Sequence, residues 1–292
     1  MVRTYAEVAI QAGDELRERL LAVISQLGFE GFWEDGDTLR CYMESSRWRP
    51  GLREEIQRIT RLLAHASSSQ APEVSVTTVD DRNWNEEWEK TLLPIHVTDR
   101  IVVAPSWQST GISQEGILLI IDPKMSFGTG YHESTRLALK LLERYLRASE
   151  DVLDVGTGTG ILAIAAIKLG ARSAVGLDTD DWSYTNAQEN ARLNQVTDNM
   201  SVIHGDLSAL RQRRYGLVVA NIQRSVLEGM LPYIRELLDM DGRVILSGIL
   251  QEERESMLAS MRQEGFRLIG ELEENEWIAF AAHKDEPGRP SP

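Results

Sequence analysis

The chain has 292 residues, 42% of them hydrophobic, and at roughly 150 residues per domain this length predicts two domains with a core each. The formal net charge of −14 argues against broad contact with nucleic acid, because phosphate binding requires clustered lysine and arginine; it favours a basic protein partner, unless the acidity serves only solubility. The single cysteine, Cys41, excludes an internal disulfide, and with neither an export signal nor a run of about 18 apolar residues we expect a cytoplasmic protein without membrane contact.

Residues 1–80 have the pattern of a small α+β domain. Their hydrophobic periodicity predicts, in chain order, a strand at 4–10, a helix at 14–27, a hairpin of two strands within 29–43, a helix at 51–66 and a strand at 74–79. This order of elements is the ferredoxin-like one, and it places the domain boundary near residue 80.

Residues 81–95 are predicted to contain a helix that connects the two domains. Trp84 and Trp88 lie four positions apart and therefore on one face of this helix. The two indole rings would stack on a ligand or pack the helix against its neighbour, and the sequence leaves both roles open.

Residues 96–284 alternate between strands and helices. Strands at 100–104 and 117–121 precede a loop, 122–135, that contains too many glycine and hydroxyl residues for a core element. The following helices are predicted at 134–147, 160–169, 182–194, 224–239 and 252–264, and the strands at 151–155, 173–178, 200–204, 216–222 and 243–249. This alternation predicts a doubly wound parallel sheet that binds ligands at the carboxyl ends of its strands.

The end of the chain departs from this alternation. The predicted strands 267–273 and 277–283 flank Glu274, Asn275 and Glu276, so the last strand is expected to enter the sheet antiparallel, as part of a hairpin. Residues 285–292 have the composition of a disordered tail.

The stretch VLDVGTGTG at 152–160 indicates a nucleotide-type cofactor site, because an apolar strand runs into three alternating glycines and an apolar helix follows. The glycines are Gly156, Gly158 and Gly160. They let the backbone approach a ligand closely, and the helix offers free N–H groups at its start. The next strand ends in Asp178, about 20 residues further on, where a carboxylate can hold a ribose diol. Ile161 stands where the dinucleotide fingerprint has glycine, so the spacing favours S-adenosylmethionine over NAD.

Five segments in order carry a resemblance to a known family: 83–94, 122–135, the glycine loop through Ala166, 220–222 and 246–250. Between about residues 80 and 283 the chain resembles the PrmA-type methyltransferases of large-subunit ribosomal protein eleven. The resemblance implies a seven-stranded, mostly parallel Rossmann-like methyltransferase sheet with an antiparallel last strand, and S-adenosylmethionine as cofactor. It also implies methyl transfer to lysine or amino nitrogens of a basic ribosomal protein. The net acidity predicts no direct nucleic-acid contact, and a monomer is favoured although the sequence leaves the oligomeric state open. The first 70 residues resemble the family only loosely, although its small substrate-recognition domain lies there.

The resemblance assigns cofactor contacts to four positions, Thr135, Gly156, Asp178 and Asn221. Thr135 would hydrogen-bond the methionine end, Gly156 would permit close backbone approach, and Asp178 would accept the ribose hydroxyls. Further cofactor contacts are predicted at Gly158, Asp154, Asp206, Phe127 and Gly128. Asp154 would orient the ammonium of the cofactor or cap the loop, and Asp206 would accept from the adenine amino group or begin a helical turn at 207–212.

The predicted catalytic residues are Asn221 and His132. The loop of Asn221 and its carbonyls would orient the lone pair of the acceptor amine, whereas His132 would act as a base or only lock its own backbone. No metal site is expected, because the five histidines and one cysteine show none of the usual ligand spacings.

Four departures from the family pattern, Tyr131, Glu133, Gln223 and Arg224, leave the acceptor open. Another protein, a small amine or a nucleic-acid base stays possible within the methyltransferase class, although the net acidity disfavours the base. Outside that class the alternatives are an NAD-dependent oxidoreductase, which Ile161 disfavours, and a binding module that has lost turnover.

Overall fold

The structure, a computed structural model, describes residues 4–29, 31–35, 37–66, 72, 74–80, 92–111, 116–124, 126–210 and 213–285. The chain divides into two units, Met1–Trp84 and Asn85–Pro292. Most of the predicted connecting helix, with both Trp84 and Trp88, lies outside the described residues, as does the predicted tail beyond Asp285. In the described part of the chain, no helix is long and apolar enough to cross a membrane.

The first unit is a four-stranded antiparallel sheet with two helices. Its elements are β1 (Thr4–Gln11), α1 (Asp14–Ile24), β2 (Gly31–Asp35), β3 (Thr38–Glu44), α2 (Leu52–Ala66) and β4 (Val74–Asp80). The strand order is β2-β3-β1-β4, and the alternation along β3 buries Leu39, Cys41 and Met43 in the core that the helices complete. Burial raises the pKa of the Cys41 thiol to about 12, as expected of a cysteine that only fills space.

The second unit begins with a small sheet that the sequence pattern did not separate from the main one. It consists of β5 (Ile95–His96), β6 (Ile101–Ala104) and β7 (Ile117–Ile120), with β6 and β7 parallel. The strands predicted at 100–104 and 117–121 are therefore confirmed, but they belong to a three-stranded sheet of their own.

The main sheet of the second unit has seven strands. Its elements are α3 (Glu133–Tyr145), β8 (Asp151–Val155), α4 (Ile161–Leu169), β9 (Ser173–Asp178), α5 (Asp181–Leu193), β10 (Met200–His204), β11 (Tyr215–Asn221), α6 (Arg224–Leu237), β12 (Leu238–Leu250), α7 (Arg254–Gln263), β13 (Phe266–Glu274) and β14 (Trp277–Lys284). The strand order is β10-β9-β8-β11-β12-β14-β13. The first four neighbouring pairs are parallel, and β14 runs antiparallel to both β12 and β13. The predicted mostly parallel sheet with an antiparallel final strand is confirmed.

Helices cover both faces of this sheet, so its central strands are apolar on both sides. β8 buries four consecutive residues and β11 five. One prediction was wrong in detail: the helix predicted at 224–239 ends at Leu237, and β12 begins at Leu238 rather than at 243, because Leu238 already pairs with Tyr215. The parallel arrangement brings the carboxyl ends of β8, β9, β10 and β11 to one edge of the sheet.

Candidate functional site

A cavity of about 530 Å³ opens at this edge. Seven of the predicted site residues line it, namely Phe127, His132, Gly156, Gly158, Asp178, Asp206 and Asn221. The other three, Gly128, Thr135 and Asp154, lie outside the lining. They accept hydrogen bonds from Thr159, Asn221 and Thr157, respectively. Most of the predicted residues are thus brought together by the parallel topology.

The glycine loop is held between the end of β9 and the loop that precedes α3. The N–H groups of Gly156 and Thr157 donate to the Leu177 carbonyl at 2.8 and 3.0 Å. Gly158 has φ of +53°, and a Cβ on it would lie 2.3 Å from the carbonyl oxygen of Phe127. Only glycine fits such a position, because a side chain would collide with backbone.

Asp178 stands at the carboxyl end of β9, between the cavity and the glycine loop. Its Oδ2 accepts the Gly158 N–H at 2.9 Å, and its Oδ1 accepts the Asp180 N–H at 3.1 Å. An ionised carboxylate has about four acceptor positions, so these two bonds orient the group and leave capacity for two hydroxyl donors. This is the arrangement that a ribose diol requires.

Asp154 is buried beneath the glycine loop and does not line the cavity. Its Oδ2 accepts from the Thr157 hydroxyl at 2.6 Å and from the Ala163 N–H at 3.2 Å. These bonds support the capping role rather than direct contact with a ligand. Burial raises the pKa of Asp154 to about 7, against the opposing effect of its two hydrogen bonds.

Replacing Asp154 with asparagine is expected to make unfolding stability less dependent on pH. The carboxyl has a pKa near 3.9 when unfolded and about 7 when folded, so its protonated form stabilises the fold at low pH and that contribution is lost as pH rises through 7. As the pH rises from 5 to 8, the free energy of unfolding of the variant should therefore increase by about 2 to 3 kcal/mol relative to that of the parent protein. The parent loses about 1.36 kcal/mol of stability for each pH unit below the folded pKa.

Urea unfolding of both proteins at pH 5, 6, 7 and 8 measures this difference. Asparagine can accept both hydrogen bonds through one oxygen, as Oδ2 does in the parent, and all other titrations cancel in the comparison. A stability difference that stays constant over this range would contradict the raised pKa.

Asp206 follows β10 and lines the cavity. Its Oδ1 accepts the Ser208 N–H at 2.8 Å, at the start of a short 3₁₀ turn, Leu207–Leu210. The capping role is therefore present, and a contact with an adenine amino group stays a prediction.

Asn221, the last residue of β11, presents a buried amide to the cavity. Its Nδ2 donates to the Thr135 hydroxyl at 3.2 Å, whereas its Oδ1 has no hydrogen-bond partner among the described residues. A buried polar atom without a partner costs about 1–3 kcal/mol, so this oxygen is suited to a donor that a ligand supplies. Thr135 is fully buried, does not line the cavity and accepts this bond from Asn221. Its contact with the methionine end of the cofactor stays a prediction.

His132 caps the amino end of α3. Its Nδ1 accepts the Ser134 N–H at 3.2 Å and lies 2.8 Å from the Ser134 hydroxyl. A neutral ring that accepts at Nδ1 carries its proton on Nε2 and has no lone pair there to act as a base. The geometry therefore supports the role of His132 in fixing its own backbone. The ring also packs edgewise against the rings of Trp277 and Phe127, with centroid distances of 4.6 and 5.3 Å.

The sequence reasoning missed several lining residues, among them Trp277, Gly248 and Ile222. Gly248 has φ of +81°, and a Cβ there would lie 2.8 Å from the Ile222 carbonyl. The glycine at a strand end was a usable signal, whereas Trp277 reaches the cavity only because β14 inserts beside β12.

Of the four residues that depart from the family pattern, only Gln223 lines the cavity. The Tyr131 hydroxyl donates to the Leu93 carbonyl, and Glu133 accepts from Asn275 at 2.9 Å. Arg224 pairs with two acidic residues, Glu228 and Glu253. Within the described ranges, no group of three or more His, Cys, Asp or Glu side chains could hold a metal ion.

Residues 5–285 match the family model described as "Ribosomal protein L11 methyltransferase (PrmA)". The ribosomal protein L11 methyltransferase of Chlorobaculum tepidum is 34% identical over 279 residues, which cover 94% of this chain and 95% of that protein. The enzyme of the same name from Dictyoglomus turgidum is 37% identical over 73% of this chain and 71% of its own length. A crystal structure of ribosomal protein L11 methylase from Lactobacillus delbrueckii subsp. bulgaricus is similar at 32% identity and a TM-score of 0.63, covering 67% of this chain and all of that one.

Proposed function

This chain belongs to the ribosomal protein L11 methyltransferase family, and on that basis we propose that it transfers methyl groups from S-adenosylmethionine to amino nitrogens of ribosomal protein L11. The observation that carries the proposal is the cavity at the sheet edge, which Gly158, Asp178 and Asn221 line together. The cytoplasm, where ribosomal proteins are made, is its proposed place of action.

The residues of the cavity fit S-adenosylmethionine. The glycine loop leaves a concave surface, the cradle, at Gly158, where a Cβ would collide with the backbone. Asp178 can still accept hydrogen bonds from two ribose hydroxyls besides the one from Gly158. Asp206 lines the same cavity, which supports the proposed contact with an adenine amino group. When bound, the cofactor supplies a methyl group on a positively charged sulfonium.

The chain's own residues orient the acceptor and keep water away. The aromatic rings of Phe127, His132 and Trp277 wall one side of the cavity, and Asn221 Oδ1 offers the amine a hydrogen-bond acceptor. Accepting one N–H of the amine would turn its lone pair towards the methyl group. Such positioning contributes more than a dedicated base, since effective alignment is worth about 7–11 kcal/mol.

Lysine is the proposed acceptor side chain, and it must be neutral to react. With a pKa near 10.4, neutralising it at pH 7 costs about 4.6 kcal/mol. An apolar wall and a neighbouring positive charge both disfavour the ammonium form and so reduce this cost. No residue of the cavity needs to take the proton during transfer, which agrees with the capping role of His132.

We further propose that residues 1–80 form a ferredoxin-like domain that recognises the protein substrate and that residues 96–284 form the catalytic domain. The βαββαβ order and the strand order β2-β3-β1-β4 support the ferredoxin-like assignment. Action as a monomer, without direct nucleic-acid contact, stays a prediction.

Incubation with radiolabelled S-adenosylmethionine and purified large-subunit ribosomal proteins is expected to label one band, L11, at lysine or amino-terminal nitrogens identified by mass spectrometry. Asn221→Ala should bind S-adenosylhomocysteine within fivefold of the parent protein but label L11 at least tenfold more slowly, because it removes the acceptor for the amine. Asn199→Ala is the matched control, since this asparagine is exposed and its side-chain amide donates to the Arg172 carbonyl at 3.1 Å, away from the cavity lining. Labelling of other proteins but not L11 would refute the proposed substrate.

A further inference from the structure

Helix α5 and the residue that caps its carboxyl end carry a row of three buried asparagines. Asn186 and Asn190 lie within the helix and Asn194 is the cap, and they are 2%, 0% and 6% exposed. They are spaced four residues apart and therefore lie on one face of the helix. Buried asparagine needs hydrogen-bond partners, and all three find them in the backbone of the segment from Ile120 to Pro123.

Two side-chain amides of this row supply the hydrogen bonds that a neighbouring strand would supply at the end of β7. Asn194 accepts the Ile120 N–H at 2.9 Å and donates to the Ile120 carbonyl at 2.5 Å. Asn190 does the same for Asp122, at 3.0 and 3.2 Å. The match is possible because four helical residues rise about 6.0 Å, close to the roughly 6.7 Å between alternate residues of a strand.

Asn190 and Asn194 differ in their remaining partners. Asn190 Nδ2 also donates to the carbonyl of Thr159, at 2.9 Å, inside the glycine loop, and to Asn186 Oδ1 at 3.3 Å. Asn194 Nδ2 instead donates to the Asn190 carbonyl at 2.9 Å. Thr159 in turn donates its N–H to Phe127 at 2.9 Å and its hydroxyl to the carbonyl of Gly128 at 2.5 Å. Asn190 thus contacts both segments that meet at the cavity, the glycine loop and the start of the loop that carries Phe127.

We propose that Asn190 is a positioning residue for cofactor binding: it holds the Phe127 loop against the glycine loop and thereby sets the wall of the cavity. Asn194, the C-cap residue one turn further on, bonds to the end of β7 and to the Asn190 carbonyl, and none of its described hydrogen bonds reaches the glycine loop. This inference rests on the proposed function, because it names a residue that prepares that same cavity.

Asn190→Ala and Asn194→Ala form a matched pair of variants. Both remove a buried amide from the same row, so both should lose thermal stability. Only Asn190→Ala is expected to raise the Kd for S-adenosylhomocysteine, by at least tenfold in calorimetry, while Asn194→Ala stays within twofold of the parent protein. Hydrogen exchange at the Thr159 amide, which is bonded to Phe127, should accelerate at least tenfold in Asn190→Ala alone.

Equal changes of Kd in the two variants, or an unchanged Kd in Asn190→Ala, would overturn the positioning role. If Asn190→Ala does not fold, Thr159→Val decides instead, because it keeps the shape and removes only the hydroxyl bond to Gly128. A Kd raised at least threefold supports the inference, and an unchanged Kd overturns it. Failure of the parent protein to bind S-adenosylhomocysteine would refute the proposed function itself.

Discussion

Asp178→Ala is expected to weaken binding of S-adenosylmethionine by at least 100-fold. Hydrogen bonds to a charged group contribute about 1.5–3 kcal/mol each, and the carboxylate would accept two from the ribose. The variant also loses the acceptor of the Gly158 N–H, so the glycine loop is held to the end of β9 by one hydrogen bond fewer. Calorimetry with S-adenosylmethionine and S-adenosylhomocysteine measures the loss directly.

Asp181→Ala is the matched control for this prediction. Asp181 lies three residues further on, its side chain is 87% exposed, and its Oδ1 lies 3.4 Å from His204 Nδ1. Removing a surface charge of this kind should leave the cofactor Kd within threefold, because exposed pairs are screened by water. If Asp178→Ala bound the cofactor as tightly as Asp181→Ala, the ribose would have to be held elsewhere.

Gly158→Ala is expected to abolish measurable cofactor binding and to lower the melting temperature by several degrees. The left-handed backbone at Gly158 costs an alanine about 1 kcal/mol, and the new Cβ would lie 2.3 Å from the Phe127 carbonyl oxygen. That oxygen is tied to the Thr159 N–H at 2.9 Å, so the clash cannot be relieved by moving one side chain. The backbone on both sides of the cavity must shift.

Gly229→Ala provides the contrast. Gly229 lies within α6, and a Cβ there would meet no heavy atom within 4 Å. Alanine in a helix interior is favoured over glycine by up to about 1 kcal/mol, so this variant should be slightly more stable and bind the cofactor normally. Normal cofactor binding by Gly158→Ala would show that the cradle is not where the cofactor lies.

Membership of the family removes one alternative that the sequence pattern had left open. An NAD-dependent oxidoreductase shares the sheet and the glycine loop, but the match over residues 5–285 is to methyltransferases. A binding module without turnover is distinguished by the labelling experiment, because it would bind the cofactor and transfer nothing.

The amino-acid sequence by itself determined the order of the strands and helices of the main sheet, although not the start of β12. Alternating apolar segments predict a parallel sheet, and a parallel sheet brings Gly156, Asp178 and Asn221 to one edge whatever their exact side-chain contacts. The glycine spacing and Ile161 further favoured S-adenosylmethionine, a cofactor that agrees with the family found by comparison.

Tertiary structure alone decided what each side chain does at that edge. Asp154 caps the loop from below, Thr135 supports Asn221 from behind, and His132 uses Nδ1 as a helix cap. The row on α5 that reaches Asp122 and Thr159 has no local signal either, because its partners are backbone groups 31 and 68 residues away. Periodicity reports which face of an element is buried, whereas hydrogen-bond direction depends on groups that only folding brings within about 3 Å.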